Sequence, residues 1–365
     1  MGTRRKPQAL RCTAMACATL LCASLAALSS TASVRAVGVA AAPGHLAPNR
    51  TLTSPSANAS TTPWTSTNQL PVPLENQVAF SSGGYLYVTG GFNSSAQAAT
   101  SSAQIGSGGM LGAWQALSAL PKALFNHAGA VQNGYAIVAG GQSPSGPQAG
   151  VYTAKLGAGG ALGAWVATTP LPAARYDHAA VASGGYVYVL GGFDAAKQQS
   201  AAVSSAPQSG GSLGSWTAQP ALPAALGEIA AVVANGHLYV LGGHATSGAQ
   251  RTVFAAAILA RGALGPWQRL TPLPQARWDL SVVVAGGALW AIGGYNAQVH
   301  TTNTVYRATL LSGGAIGTWS AAPSLPSGVG EQTATVAAGF FFVAGGKLTG
   351  TTALRVIYTA AATGL

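Results

Sequence analysis

The sequence predicts an all-β protein, a six-bladed β-propeller built from four-stranded antiparallel blades. Two repeated markers support this prediction, each recurring every 50 to 52 residues, a spacing typical of one propeller blade. One marker is a Gly-Gly pair that begins at Gly90, Gly140, Gly191, Gly242, Gly293 and Gly345. The other is a tryptophan, found at Trp64, Trp114, Trp165, Trp216, Trp267 and Trp319. The 49 glycines and 20 prolines among 365 residues also interrupt the apolar segments too often for long helices.

The first 36 residues (1–36) have the pattern of a secretory signal peptide. Four basic residues precede an apolar run from Ala14 to Leu28, and small residues allow cleavage after Ala32 or Ala36. This run is shorter than the ~20 residues that a membrane-spanning helix needs. We therefore expect a secreted or envelope-associated protein without a transmembrane domain in its mature form. An uncleaved N-terminal anchor is the alternative, because no charge occurs between Arg11 and Arg35.

Residues 37–63 are rich in Ala, Pro, Ser and Thr without periodicity, which predicts a flexible linker before a propeller at 64–365. All three cysteines, Cys12, Cys17 and Cys22, precede this linker, so we expect none in the mature protein. The formal net charge of +11 falls to +5 within the propeller, which contains 11 basic and 6 acidic residues. No basic stripe remains there, and the sequence therefore argues against a nucleic-acid partner.

Each repeat is predicted to contain a hairpin and two further strands. In one repeat an apolar run at 179–182 is followed by a turn at Gly184-Gly185 and by a second run at 186–190, which ends at the Gly-Gly pair. A third strand follows a polar loop, as at 151–156. A glycine-rich turn then leads to a fourth strand that contains the repeat tryptophan.

The two ends of the chain are predicted to share the last blade. After Gly345-Gly346 the sequence has a third strand near 355–360, and it ends about five residues before a seventh tryptophan would fall. Trp64 has no inner strands before it and would supply the missing fourth strand. Pairing the two ends closes the ring and removes the sheet edges that otherwise favour aggregation.

These repeats resemble the Kelch repeat family, and the resemblance covers residues 64–365. It rests on the doubled glycine, the repeat tryptophan and an aromatic residue three positions before the glycine pair. That position holds Tyr87, Tyr188, Tyr239, Trp290 and Phe342, with Ile137 as the exception. The resemblance implies that the strand before the glycine-rich hairpin turn is innermost and that the tryptophan strand is outermost.

One repeat position concentrates the acidic residues of the protein. Twelve residues after each tryptophan, at the start of the innermost strand, stand Asn76, Asn126, Asp177, Glu228, Asp279 and Glu331. Six-fold pseudosymmetry would bring these side chains into a polar ring at the mouth of the central channel. In a structural interpretation they hydrogen-bond to backbone groups, and in a functional one they hold a cation or the hydroxyls of a sugar. The repetition favours the structural interpretation.

The residues beside this ring differ between blades and are therefore better candidates for specificity. The candidate ligand-binding residues are Phe125, Asn126, His127, Arg175, Tyr176, Asp177, His178, Glu228, Arg277, Trp278, Asp279 and Glu331. The loops after the Gly-Gly pairs add Phe92, Asn93, Phe193, Asp194, His244, Tyr295, Asn296 and His300. Aromatic faces beside Arg and Asp suit a carbohydrate or a peptide. The two arginines have an alternative role as partners of the neighbouring carboxylates. His237 is expected to point outward and to have no role.

The sequence thus favours a monomeric binding module for an extracellular glycan or protein, with no metal and no cofactor. The alternative is a carbohydrate-active enzyme, a sugar epimerase, isomerase or hydrolase that uses carboxylates of the ring. A third hypothesis is a structural surface protein whose mouth is filled by its own side chains. Copper-radical oxidases of Kelch type need a Tyr–Cys crosslink, which a cysteine-free mature chain cannot form. The sequence has no phosphate-binding glycine loop, zinc-spaced His cluster or serine nucleophile elbow.

Overall fold

The computed structural model describes residues 60–61 and 63–363, which form a β-propeller of six antiparallel blades. The blades are numbered 1 to 6 by the order of their first strands. The predicted signal peptide at 1–36 lies outside the described residues, as does the predicted linker at 37–63 apart from three of its residues. Within the described part of the chain, no helix is long and apolar enough to cross a lipid bilayer.

Each blade begins with a β-hairpin, as the sequence predicts. The first strands are β3 (Val78–Ser82), β7 (Ala128–Gln132), β13 (Ala179–Ser183), β18 (Ala230–Ala234), β24 (Ser281–Ala285) and β28 (Thr333–Ala337). The second strands are β4 (Tyr85–Thr89), β8 (Tyr135–Ala139), β14 (Tyr186–Leu190), β19 (His237–Leu241), β25 (Ala288–Ile292) and β29 (Phe340–Ala344). First strands of adjacent blades contact one another around the whole ring. The predicted innermost position of these strands is therefore confirmed.

Two further strands complete each blade. The third strands are β5 (Thr100–Ile105), β11 (Val151–Lys155), β15 (Val203–Ser209), β22 (Val253–Ala257), β26 (Val305–Thr309) and β30 (Ile357–Thr363). The fourth strands of blades 1 to 5 are β6 (Leu111–Leu117), β12 (Val166–Thr168), β17 (Thr217–Gln219), β23 (Gln268–Arg269) and β27 (Ser320–Ala322). Four of these connections contain a single 3₁₀ turn, at Ser107–Gly109, Ala158–Gly160, Ala260–Gly262 and Ser312–Gly314. In blade 3 the short β16 (Ser212–Leu213) pairs with the end of the third strand instead.

The two chain ends close the ring in blade 6. Strand β2 (Thr65–Ser66) pairs with β30, with Thr65 opposite Thr359 and Ser66 opposite Tyr358. Strand β1 (Ser60–Thr61) pairs with the far end of the same strand. The predicted closure by the segment at Trp64 is confirmed, and the pairing extends into the last residues of the predicted linker.

Two blades carry an additional small hairpin directly after the Gly-Gly pair. Blade 2 contains β9 (Gln142–Ser143) and β10 (Gly146–Pro147), and blade 4 contains β20 (His244–Ala245) and β21 (Gly248–Ala249). The Gly-Gly pair follows the end of the second strand. Because the second strand is antiparallel to the first, this end lies on the face where the first strands begin. Both hairpins therefore stand on the mouth face, one on each side of blade 3.

The hydrophobic core lies between the blades. Six apolar clusters occur, and each combines side chains from two adjacent blades. The residue three before each Gly-Gly pair is buried in one of them, and Trp290, Tyr188 and Tyr239 are among the largest fully buried side chains. Burial of each such side chain contributes about 1.5–3 kcal/mol, so this repeat position stabilises every blade interface.

The Gly-Gly pairs join each blade to the next through the backbone. In all six pairs the second glycine donates its N–H to a carbonyl of the following blade at 2.8–2.9 Å, as Gly192 does to Leu226. Every one of these glycines has a positive φ. A Cβ on the first glycine would lie 2.5–2.8 Å from the same carbonyl oxygen. Only glycine permits both this backbone conformation and this close approach.

Five of the six repeat tryptophans join the outer strands of neighbouring blades through their indole N–H groups, and the sixth, Trp114, packs against the apolar cluster between blades 6 and 1. Trp165 donates its indole N–H to the Ser118 carbonyl at 3.1 Å, and Trp64 donates across the closure to the Pro323 carbonyl at 2.9 Å. Equivalent bonds are formed by Trp216, Trp267 and Trp319. The tryptophans therefore act as structural residues, in agreement with the sequence prediction.

On the face opposite the mouth, rings pack on glycines of the next blade. A Cβ on these glycines would lie 2.3 Å from the ring in the pairs Tyr85–Gly160, Tyr186–Gly262 and His237–Gly314. His237 thus has a packing contact with the next blade in addition to its Nδ1 contact with the Asn235 carbonyl at 3.0 Å.

The crowding at the Gly-Gly pair can be separated from backbone strain by two substitutions. Gly192 and Gly185 have φ values of 89° and 83°, but a Cβ at Gly192 would lie 2.6 Å from the Tyr176 oxygen, whereas one at Gly185 meets nothing within 4 Å. We expect Gly185→Ala to cost about 1–2 kcal/mol from φ alone, and Gly192→Ala to cost about 2–3 kcal/mol more. Urea unfolding of both variants measures the difference. Equal destabilisation would contradict the role assigned to close approach.

Candidate functional site

The six ring residues share an unusual backbone conformation at the channel mouth. Asn76, Asn126, Asp177, Glu228, Asp279 and Glu331 have φ between 52° and 60° and are at most 3% exposed. At five of the six junctions the ring residue donates its backbone N–H to the carbonyl of the ring residue in the preceding blade, at 2.9–3.3 Å. Asn and Asp tolerate this left-handed conformation better than most residues. The ring position therefore has a structural role: its left-handed backbone forms hydrogen bonds that link neighbouring blades.

This geometry brings almost all acidic residues of the protein to one place. Besides the four acidic ring residues, Glu75 lies next to Asn76 and is 8% exposed. The sixth, Asp194, lies outside the ring in an exposed loop, where its Oδ1 accepts the backbone N–H groups of Ala196 and Gln198. The mouth is therefore lined with carboxyl groups in a propeller of net positive charge.

Glu75 and Lys347, which the sequence analysis did not single out, complete one side of the ring. Lys347 Nζ lies 2.9 Å from Glu331 Oε1 and 3.7 Å from Glu75 Oε2. Tyr295 donates its hydroxyl to Glu331 Oε1 at 3.1 Å, and Asn76 Nδ2 donates to Glu331 Oε2 at 3.1 Å. We call these five residues the seam cluster, because they lie where blades 5, 6 and 1 meet. Lys347 directly follows Gly345-Gly346, the position that Tyr295 holds in blade 5, and this equivalence was the available signal.

Burial controls the protonation of the ring carboxyls. It raises the pKa of Glu331 to about 8, outweighing the opposing effect of Lys347. The pKa of Glu228 is raised well above its ordinary value, first by burial and then by Asp177 and Glu331. The pKa of Tyr295 is raised by burial and by Glu331. Near neutral pH the ring therefore contains carboxyl groups that retain their protons.

Aromatic side chains lie directly beside the ring, on the residues that precede it and on those that follow the Gly-Gly pairs. Tyr176 stacks on Phe193 with 5.4 Å between ring centroids, and Trp278 stacks on Tyr295 at 5.6 Å. His244 meets Trp278 edge-on at 5.4 Å.

A third aromatic pair connects blades 1 and 2. Phe92 and Phe125 have centroids 5.1 Å apart, and both are half-buried. This pair keeps apolar surface accessible at the mouth, whereas Tyr176 and Trp278 are almost fully buried.

The two candidate arginines make their contacts inside the blades. Arg175 Nη1 donates to the Gly191 carbonyl at 3.1 Å. Arg277 is fully buried, and its Nη1 donates to the carbonyls of Gly293 and Thr304 at 3.0 Å. Burial lowers the pKa of Arg277 to about 10. Both guanidinium groups thus hold the Gly-Gly strand of their own blade.

The two candidate histidines pack between blades. A Cβ on Gly90 would lie 2.5 Å from His127 Cε1, and a Cβ on Gly140 would lie 2.6 Å from His178 Cε1. Both histidines are at most 1% exposed. A direct ligand contact by these histidines or by the two arginines stays a prediction, and it would require movement of buried side chains. Among the described residues, no group of three or more His, Cys, Asp or Glu side chains is placed to hold a metal ion.

Comparison with known proteins agrees with this architecture. A family model described as "Kelch motif" matches residues 174–205. "Kelch-like protein 35" of Homo sapiens is 32% identical over 136 residues, which are 37% of this chain and 21% of that protein. "Kelch-like protein 33" of Homo sapiens is 31% identical over 134 residues, 36% of this chain and 24% of that protein. The chain therefore matches less than a quarter of the length of these curated relatives.

A solved structure also shares the fold. The structure titled "Structure of YjhT" aligns with a TM-score of 0.66 at 16% sequence identity, covering 80% of this chain and 95% of that one. At this identity the similarity shows the fold alone.

The raised pKa of Glu331 predicts that stability falls as pH rises. The folded protein holds this proton more tightly than the unfolded chain, so the contribution is complete below pH 4.5 and is lost as pH rises through about 8. We expect the free energy of unfolding to decrease by a few kcal/mol (~1–3) over this range, and Glu331→Gln to reduce the decrease. Asp194→Asn is the control and should keep the wild-type slope. Identical slopes in wild type and Glu331→Gln, measured by urea unfolding at several pH values, would contradict this account.

Arg277 is predicted to stabilise the fold whether or not a ligand is present. Arg277→Met removes the Nη1 donor from the carbonyls of Gly293 and Thr304, of which only Thr304 keeps another donor, the Gly293 N–H, and should lower the free energy of unfolding by about 2–4 kcal/mol. Arg269→Met is the control, because Arg269 is exposed and lies over the Phe254 ring at 5.4 Å. We expect it to cost less than about 1 kcal/mol. Similar melting temperatures for the two variants would argue against the structural role of Arg277.

Proposed function

This chain belongs to the Kelch-repeat family of β-propellers, and we propose that it is a recognition module that binds a segment of a partner protein across the channel mouth. The observation that carries the proposal is the half-buried pair of Phe92 and Phe125 beside the buried polar ring. Aromatic side chains are enriched at the centre of protein interfaces, where a polar rim surrounds them.

The distribution of variation in the fold supports this choice. Strands, Gly-Gly pairs and tryptophans repeat in every blade, whereas the mouth loops differ between blades in length and chemistry. Loops held by a rigid scaffold are where binding residues concentrate. The hairpins of blades 2 and 4, at 142–147 and 244–249, form raised edges on the mouth face on both sides of blade 3. A raised border of this kind suits an extended segment of another protein.

We place this activity outside the cytoplasm, at the cell envelope or in the medium. The support for this part of the proposal is the signal-peptide pattern at 1–36, a purely sequence-based argument. We further propose that the protein acts as a monomer, since strands β1 and β2 pair with β30 and close the ring within one molecule. We also propose that it needs no cofactor for binding.

A carbohydrate-active enzyme, such as a sugar epimerase, isomerase or hydrolase, is the second candidate. One observation favours it, because the pKa of Glu331 is raised to about 8 and its carboxyl contacts both Tyr295 and Lys347. A carboxyl that titrates near neutral pH can act as a general acid or base. A glycan ligand that is bound without being altered is intermediate between the two candidates.

The proposal is tested by panning a displayed random-peptide library against the full chain and measuring the affinity of the recovered peptides. The double variant Phe92→Ala/Phe125→Ala should weaken binding at least tenfold, since it removes the accessible aromatic surface. Met110→Ala is the control, because Met110 is 51% exposed in blade 1 on the opposite face. It should change the affinity less than twofold.

A glycan array and product analysis, run in parallel, separate the candidates. Peptide binding that needs the two phenylalanines supports the recognition module. Glycan binding without peptide binding would replace the protein ligand with a glycan, and a chemically altered glycan would favour the enzyme. Peptide binding that is unaffected by the double variant would overturn the site proposed here.

A further inference from the structure

Building on the proposed recognition function, we propose that the polar ring binds a primary ammonium group of the ligand segment, a lysine side chain, with Glu228 and Asn76 as its acceptors. The two residues belong to blades 4 and 1, which face each other across the axis of a six-bladed ring. A ligand ammonium on the axis would lie between them.

The first argument is the chemistry around Glu228. Its side chain is 3% exposed, and the backbone bonds to Asp177 and Asp279 hold it in the ring, at 2.9 Å and 3.2 Å. Among the described residues, the charged groups that act most strongly on it are carboxyls, Asp177 and Glu331. A buried carboxyl beside other carboxyls is an unfavourable arrangement for stability alone. A ligand cation would convert this repulsion into attraction.

The second argument is independent of charge. Asn76 is 1% exposed, and its Nδ2 donates to Glu331 Oε2, but its Oδ1 has no hydrogen-bond donor among the described residues. An unsatisfied buried acceptor costs about 1–3 kcal/mol. This oxygen belongs to the same amide that contacts the carboxyl cluster, so it lies at the ring. It is a vacant acceptor at the point where the carboxyls converge.

The third argument concerns the cation that the protein already has there. Lys347 Nζ is held at 2.9 Å from Glu331 and 3.7 Å from Glu75, within the seam cluster. It shows that the mouth accommodates an ammonium group bound by two carboxyls. Its ion pairs keep it on the side of blades 6 and 1, away from Glu228 in blade 4.

Three features select an ammonium group over other cations. An ammonium offers three N–H donors in a compact group, which matches acceptors that converge from several blades. A guanidinium group is a wide planar fork suited to a single carboxylate. The metal alternative lacks support, because no suitable group of three ligands exists in the described chain.

The stem of a lysine side chain also fits the surroundings. Phe92 exchanges backbone hydrogen bonds with Glu75, the residue before Asn76, and its ring centroid lies 5.1 Å from that of Phe125. Both rings are half-buried, so they can contact the four-carbon stem while the ammonium group reaches the ring.

Binding of an ammonium group has a consequence for protons. Burial and the neighbouring carboxyls raise the pKa of Glu228, and a bound cation favours its ionised form, so binding should release protons to the buffer. Other titratable groups facing this site also respond to the bound charge: Asp177, Asp279, Glu331, Glu75, Tyr176, Tyr295, His244 and Lys347.

The test uses the full chain and Nα-acetyl-L-lysine amide as the probe, with Nα-acetyl-L-norleucine amide as the uncharged control ligand. Calorimetry at pH 7 in two buffers of different ionisation enthalpy measures affinity and proton release. We expect the lysine probe to bind at least tenfold more tightly than the norleucine probe and to release protons. Glu228→Gln should weaken lysine binding at least tenfold and reduce the proton release, whereas Met110→Ala, on the opposite face, should leave both within twofold.

The outcomes separate this inference from the proposed function. Equal affinity for the two probes, or unchanged lysine binding in Glu228→Gln, would overturn the ammonium site. If peptides still bind through Phe92 and Phe125 in that case, the recognition function stands without it. The comparison of the two probes needs no variant, so the test remains decisive if Glu228→Gln fails to fold.

Discussion

The backbone hydrogen bond from the second glycine of each Gly-Gly pair to the next blade is the interaction on which the rest of the structure depends. It occurs six times at 2.8–2.9 Å, once at each blade interface. A single such bond contributes only about 1 kcal/mol net, but its geometry fixes how closely two blades approach. At this distance the residue three positions before the pair, which is aromatic in five of the six blades, becomes buried between blades. The same approach places the ring residues within hydrogen-bonding distance of one another at five of the six junctions, so the arrangement of the mouth follows from the Gly-Gly hydrogen bonds.

The Gly-Gly hydrogen bonds also explain why polar groups are tolerated at the mouth. A left-handed backbone at the ring position favours short polar side chains, and six-fold repetition directs them to a common axis. Carboxyls assembled in this way are buried together, which raises the pKa of Glu228 and of Glu331 and weakens the fold as pH rises. Lys347 compensates one side of the ring through Glu331 and Glu75. On the other side of the ring, Glu228 lies among carboxyl groups and near aromatic rings, an arrangement suited to binding a cationic group.

Most of the fold could be predicted from the sequence, because the periodic residues have backbone requirements that few other residues meet. The period of Gly-Gly and tryptophan predicted the blade number and the closure at Trp64, and the resemblance to Kelch repeats implied which strands are innermost. The structure confirms all three. The site was less predictable, since side-chain direction depends on packing between blades. Arg277 occurs in the mouth loop, yet its guanidinium binds carbonyls within the blade. Lys347 reaches Glu331 within blade 6, whereas Glu75 belongs to blade 1, and only the closed ring brings it to Lys347.

Native-state hydrogen exchange at the second glycines tests the central claim most directly. Selective ¹⁵N-glycine labelling allows the amides of Gly91, Gly141, Gly192, Gly243, Gly294 and Gly346 to be followed by NMR at increasing urea concentration. If these bonds hold the blades together, all six amides should exchange only through global unfolding, as slowly and with the same urea dependence as the slowest amides of the innermost strands. Fast, urea-independent exchange at several of these glycines, while the innermost strands stay protected, would contradict the account.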